Sequence, residues 1–190
     1  MKIFRSALVL IAERGLPNVT VEAITEAADV GKGTFFNYFE TKDHVLGVMA
    51  QIQLGKIREA GAQVTRGGQS AYGVLHKLAH QLSEEPGRSA ALARALISSF
   101  LGSDSVREIV KRTMFEGRKT VGEIIAAGQR QGEIQSDLRK EKIAMQFIQC
   151  VLGTVLLWSL NESPELNSLI EDSFQHFWSA ISVSGRERQQ

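Results

Sequence analysis

The chain has 190 residues, 43% of them hydrophobic, and a formal net charge of +1. That length and composition support a sizeable buried core and exclude a disordered polypeptide, while the near-zero charge excludes capture of a polyanion by bulk positive charge alone. The single cysteine, Cys150, lies in an apolar run with nothing to pair with, which fits a reducing cytoplasm, and the short run ALVLIA lacks the small-residue cleavage pattern of a secretion signal.

Helical periodicity begins at once. Phe4, Ala7, Leu8 and Ile11 predict a helix over residues 3 to 14 that Gly15 stops. Thr20 then reads as the N-cap of a second helix carrying Val21, Ile24, Ala27 and Ala28, with Glu22 at its positive end. After the interruption at Asp29, Val30 and Gly31, a third helix of about two turns is predicted from Lys32 through Phe39. A long helix from Thr41 to about residue 65 follows, and the stretch 66–70, RGGQS, reads as a linker. Further helices are predicted around Tyr72 to Leu82, around Ala91 to Phe100, and from Asp104 to about Gln131, the last expected to bend or break near 113–117 because of its internal glycines. Residues 141 to 160 are apolar nearly all round, and Leu166, Leu169, Ile170, Phe174, Phe177, Trp178 and Ile181 form a last amphipathic stripe. With neither strand alternation nor an internal repeat, the fold class is all-α: a three-helix module over 1–45 joined to a larger helical domain over 46–190.

The second and third helices have the spacing of a helix-turn-helix, whose second helix enters the major groove. On a helical wheel Phe35 and Phe39 face inward; Gly33 and Asn37 lie opposite, flanked by Thr34, Phe36 and Tyr38. This small mixed surface suits base-pair edges. Asn37 is the expected reader of an adenine through paired hydrogen bonds, Phe36 can meet a thymine methyl, and Thr20, Lys32, Tyr38 and Lys42 are expected on phosphates. Charge gives little help, since five cations in the first fifty residues face six carboxylates.

The segment GKGTFFNYFETKDHVL, preceded by VTVEAITEAADV and by a helix ending in AERG, resembles the tetracycline-repressor (TetR) family of bacterial regulators over about the first quarter of the chain. Members of that family usually carry glycine where Asp29 stands, serine or threonine where Gly31 stands, and often tyrosine and histidine at Phe36 and Tyr38. Asp29 tolerates a left-handed turn and Gly31 can cap, so the turn survives the first two departures, and the last, at Phe36 and Tyr38, bears on the base contacts. The resemblance implies a repressor that binds a palindromic double-stranded DNA operator as a homodimer. Its interface would be a four-helix bundle built from helices at about 141–160 and 165–182, and a small-molecule effector would release the DNA.

An effector is expected in the helical domain between about residues 70 and 160, lined by Phe100, Met114, Phe115, Arg118, Phe147 and Trp158, and mostly apolar with at most one anionic group. No cofactor, metal, membrane contact or catalytic residue is expected. His76 and His80 have ligand spacing on one helical face but lack a nearby third ligand in the sequence, and no nucleophile or phosphate-cradling motif appears. Two other readings remain open: a helical dimeric adaptor that has lost DNA binding, and an all-α enzyme.

Overall fold

The computed structural model describes residues 2–65, 69–161 and 163–184; Arg66, Gly67 and Gly68 of the expected linker lie outside these. Among the described residues the architecture is helical, in the order α1 (Lys2–Arg14), α2 (Val21–Ala27), α3 (Lys32–Phe36), α4 (Asp43–Thr65), α5 (Ala71–Glu84), α6 (Ala90–Gly102), α7 (Asp104–Arg130), α8 (Lys140–Asn161) and α9 (Leu166–Ile181). Two short 3-10 turns, Leu16–Asn18 and Pro86–Arg88, join α1 to α2 and α5 to α6.

Local chemistry explains the boundaries. Thr20 Oγ1 accepts from Ala23 N at 3.1 Å, Ser70 caps α5 through Gly73 N, Ser89 caps α6 through Leu92 N, and Ser103 caps α7 through Val106 N. Gly15 follows α1 with φ 74°, the left-handed conformation that glycine adopts without a Cβ penalty. Asp29 takes φ 52° in the turn between α2 and α3, as its tolerance of left-handed geometry predicts.

Two apolar clusters organise the packing. The first joins α1 to α4, with Ile11, Val19, Ile24, Ala28, Phe35 and Val45 fully buried, and extends to Leu92, Ala95 and Leu96 of α6 and Val106 of α7. The second lies among α4, α5, α7, α8 and α9 around Leu75, Leu78, Ile124, Ile125, Phe147, Ile170 and Phe174. The N-terminal module thus shares its core with α6 and α7 as well as with α4.

Of the bend or break expected at 113–117, a break does not occur: α7 runs as one uninterrupted helix of 27 residues. Its glycines serve close approach instead. A Cβ on Gly117 would meet Ile57 Cδ1 at 2.9 Å, and one on Gly61 of α4 would meet Thr120 Cγ2 at 2.7 Å, so the seam between α4 and α7 is glycine-lined on both sides. At Gly128 a Cβ would lie 2.6 Å from Ala71 Cβ and 2.7 Å from Ile134 Cδ1. Ala71 has no rotamer with which to retreat. Gly128→Ala is therefore expected to lose about 1–3 kcal/mol of stability despite the better helix propensity of alanine, measured as a lowered urea midpoint at unchanged slope.

The face of α9 that the sequence leaves in search of a partner is largely covered within the chain. Phe174 and Ile181 are buried, and Tyr72 of α5 packs against Phe174 and Trp178 with ring centroids 5.6 and 5.1 Å apart. The apolar surface that remains uncovered on the C-terminal helices lies on α8, where Leu157 and Leu160 are each 67% exposed. By length and composition α8 also passes for a membrane span, but its Ile143, Ala144, Phe147, Val151 and Val155 are buried in the protein.

Candidate functional site

The outward surface of the N-terminal module begins with α3. Gly31 occupies its N-cap position, and α3 closes after Phe36, so the predicted helix through Phe39 is shorter than expected; Asn37 and Tyr38 sit in the turn that follows. Phe35 is fully buried against Phe39 and Phe36, with centroids 5.2 and 5.4 Å away, which anchors the element. Gly33, Thr34 and Asn37 are exposed, as are Phe36 (53%) and Tyr38 (72%). Nothing lies within 4 Å of a Cβ built on Gly33. An exposed, uncharged surface with two aromatics turned to solvent is thus held on the two-helix frame.

The cations around it are partly engaged. Lys32 Nζ lies 2.5 Å from Glu22 Oε1, which holds the Glu22 carboxyl below its usual range, yet both side chains are more than half exposed and water screens the pair. Lys32 can exchange that partner for a phosphate. Lys2 lies 3.7 Å from Asp29 in a similar exposed pair. Thr20 is exposed, and its hydroxyl, which accepts from Ala23 N, retains its proton for donation. Lys42 differs from its expected role: its ammonium donates to the carbonyls of Leu16, Pro17 and Val19 at 2.9, 3.1 and 3.0 Å. Three donors meet three acceptors, so Lys42 clamps the loop between α1 and α2 rather than offering free charge to a phosphate.

Above this module lies an apolar cavity of about 170 Å³ bounded by α4 to α8. Its walls include Leu46, Met49, Ala50, Gln53 and Ile57 of α4, Leu96 and Phe100 of α6, Val110, Thr113, Met114 and Gly117 of α7, and Ile148, Val151 and Val155 of α8. Gln53 is the polar exception on the α4 wall. Its Nε2 donates to Leu82 O at 3.1 Å, while its buried Oε1 accepts no hydrogen bond among the described residues. The cavity opens into an outer groove of about 620 Å³ between α6, α7 and α8; Ile97, Phe100, Val110, Met114, Ile148 and Leu152 line both. At the groove's rim stand Arg107, Lys111 and Arg118, the last with its guanidinium 5.6 Å from the centre of the Phe115 ring.

Of the six residues expected around an effector, Phe100 and Met114 line the inner cavity and Phe115 and Arg118 the outer groove. Phe147 and Trp158 do not line either. Phe147 is buried 5.7 Å from Phe177 in the cluster behind α8, and Trp158 packs against that same cluster. The reason is rotation along α8: Ile148, Val151 and Val155 share the cavity face, and Phe147 points away from it. The α4 wall escaped sequence reading altogether, although residues 46, 49, 50, 53 and 57 share one helical face with a single polar member.

Elsewhere, Arg94 donates to the carbonyl of Ser159, His176 Nδ1 lies 2.7 Å from the carbonyl oxygen of Asp172, and burial pushes the Cys150 thiol above its ordinary range. The pair His76 and His80 is not without a third partner: Glu171 of α9 reaches both.

Comparison with known proteins bears on the module first. Residues 3–49 match the model of bacterial regulatory proteins of the tetR family. The chain is 25% identical over 161 residues to the HTH-type transcriptional repressor DhaR of Mycobacterium sp. (strain GP1), covering 80% of this chain and 78% of that protein. Among solved structures, the fatty acid degradation regulator FadR of Bacillus halodurans superposes with a TM-score of 0.77 at 19% identity, covering 93% of this chain and 96% of the other. FadR of Thermus thermophilus, a transcriptional repressor solved in complex with lauroyl-CoA, superposes with a TM-score of 0.65 at 25% identity, covering 94% and 92%.

Proposed function

We propose that this chain, whose residues 3–49 match the model of bacterial regulatory proteins of the tetR family, is a ligand-responsive repressor of that family, released from its operator by an elongated amphiphile of the acyl-CoA class. One observation carries the coupling. Leu46, Met49 and Leu96 face the cavity and are also members of the apolar cluster that holds the reader, so an occupant that spreads α4 from α6 strains the core under α3. Interiors packed this closely shift between discrete arrangements rather than deforming continuously.

The effector's chemistry is read from the two compartments. An unbranched apolar chain suits the inner cavity, an anionic head suits Arg107, Lys111 and Arg118 at the rim of the groove, and an N–H or hydroxyl between them would satisfy Gln53 Oε1. The lauroyl-CoA bound by the Thermus relative has that order of parts. Thermal-shift titration with acyl-CoAs of increasing chain length tests the class. An optimum at one chain length supports it; equal response to CoA without an acyl chain would overturn it.

Regulators of this family bind operators as dimers, and Leu157 and Leu160 on α8 provide the uncovered apolar surface for a two-fold interface here. Two copies of the reader on a palindrome compensate for the modest charge of each. The proteins of this family are soluble DNA-binding proteins, and we place this one in the cytoplasm without catalytic activity. Gly33, Thr34, Phe36, Asn37 and Tyr38 form the proposed base-reading surface, with Thr20, Lys32 and Tyr38 on phosphates. An operator selected from random duplexes is expected to be two-fold symmetric. Asn37→Ala is expected to lose discrimination at one base pair per half-site, worth about 1–3 kcal/mol, without changing the salt dependence; parental selectivity in that variant would remove Asn37 from the interface.

A further inference from the structure

We propose that His76, His80 and Glu171 form a binding site for a divalent first-row transition metal of the zinc type, clasping α5 to α9 on the outer side of the helical domain. His76 Nε2 and His80 Nε2 lie 2.6 and 3.1 Å from the same oxygen, Oε2 of Glu171, and the three ligand atoms all fall within 4.8 Å of one another. Two histidines four residues apart project side by side from one helical face, and the carboxylate closes the set from the neighbouring helix.

The spacing is near what a metal needs. Tetrahedral zinc at bond lengths of about 2.0–2.1 Å holds neighbouring ligand atoms about 3.3 Å apart, so His80 Nε2 need spread from the oxygen by only about 0.2 Å and His76 Nε2 by about 0.7 Å, within reach of a side-chain adjustment. The surroundings hold the ligands in place. Gln175 Nε2 donates to Glu171 Oε1 at 2.7 Å and to the Tyr72 hydroxyl at 2.9 Å, which leaves Oε2 facing the two imidazoles. The Tyr72 ring lies nearly parallel to that of His76, 11° apart at 5.7 Å, and fixes its plane. Such outer contacts orient metal ligands and set affinity. Side-chain exposures of 33%, 30% and 40% leave an entry path and room for a water as fourth ligand.

Each imidazole must present an unprotonated Nε2 to the ion, so binding shifts both rings to the Nδ1–H tautomer. The ion then replaces a hydrogen-bonded bridge by coordinate bonds between α5 and α9. His44 and His176 are the other histidines, and neither belongs to a group of three possible metal ligands among the described residues.

The test is calorimetric titration of the full-length, chelator-treated protein with zinc chloride, with thermal unfolding followed in parallel. One zinc per chain is expected, with a raised Tm. Loss of at least about 100-fold in affinity is expected for H76A and for Glu171→Gln, and loss of about 10-fold for Q175A, whose effect is on orientation alone. Because Glu171→Gln preserves shape but turns one acceptor oxygen into a donor, its folding is checked by its metal-free Tm; should it fail to fold, His80→Gln stands in. H176A is expected to bind as the parent does. Absence of saturable one-to-one binding, or binding unchanged in H76A and Glu171→Gln, would overturn the site and leave these residues as a hydrogen-bonded clasp.

Discussion

Replacing Ala50 by phenylalanine is expected to weaken acyl-CoA binding by about 100-fold or more while leaving operator affinity near that of the parent. Ala50 stands on the α4 wall of the cavity, half-buried, with Met49 and Gln53 beside it. A ring added there occupies the volume proposed for the acyl chain. The ring fills space that already exists without the length by which an acyl chain would spread α4 from α6, so the usual overpacking loss of about 1–3 kcal/mol is largely avoided and the reader's core keeps its arrangement. The variant would then repress without responding. Isothermal titration with lauroyl-CoA, beside fluorescence anisotropy on the selected operator, measures the two effects separately. Thr113→Phe, which fills the same cavity from α7, is expected to behave alike.

The second large effect belongs to Lys42. Lys42→Met keeps the aliphatic stem but removes the ammonium that satisfies three carbonyls of the α1–α2 connection. Hydrogen bonds from a charged donor are worth more than neutral ones, and partly buried carbonyls of Leu16 and Val19 lose their partner, so a loss of about 2 kcal/mol in stability is expected. The salt dependence of DNA binding should hardly change, because this ammonium is not available to release counterions from phosphate. Parental stability with a reduced salt slope would restore Lys42 to the phosphate contacts.

Lys42 also shows where sequence stops being legible. The periodicity of α1, the cap at Thr20, and the inward faces of Phe35 and Phe39 are local properties, and the helices follow from them. A lysine's destination is set by which carbonyls the tertiary fold brings within reach, and the partner of Lys42 lies more than twenty residues away. The same holds for Glu171, 95 residues from His76. Glycine misled in another way. Gly117 and Gly128 read locally as weak points of a helix, whereas packing uses their missing Cβ to admit Ile57 and Ala71. The effector lining divided along one turn of α8, where a rotation of one residue sends Phe147 into the core behind and Ile148 to the cavity.

Glu171 links the C-terminal helices to pH. Hydrogen bonds from Gln175, His76 and His80 hold its carboxyl down at about 2. A carboxyl lowered on folding contributes stability above its unfolded pKa and loses it as pH falls toward the folded value, so the α5–α9 contact weakens between about pH 4.5 and 2. The effect is reduced by solvent screening at this exposed site. The reader and the cavity lie on other elements.

The coupling between cavity and reader is tested most directly by reciprocal linkage. Operator affinity is measured by anisotropy across a series of lauroyl-CoA concentrations, and lauroyl-CoA affinity by calorimetry with and without saturating operator. If one core serves both sites, effector weakens DNA binding and DNA weakens effector binding by the same factor, on the order of 100-fold or roughly 3 kcal/mol. Lauroyl-CoA that binds in the cavity with equal affinity in the presence and absence of operator would contradict the coupling.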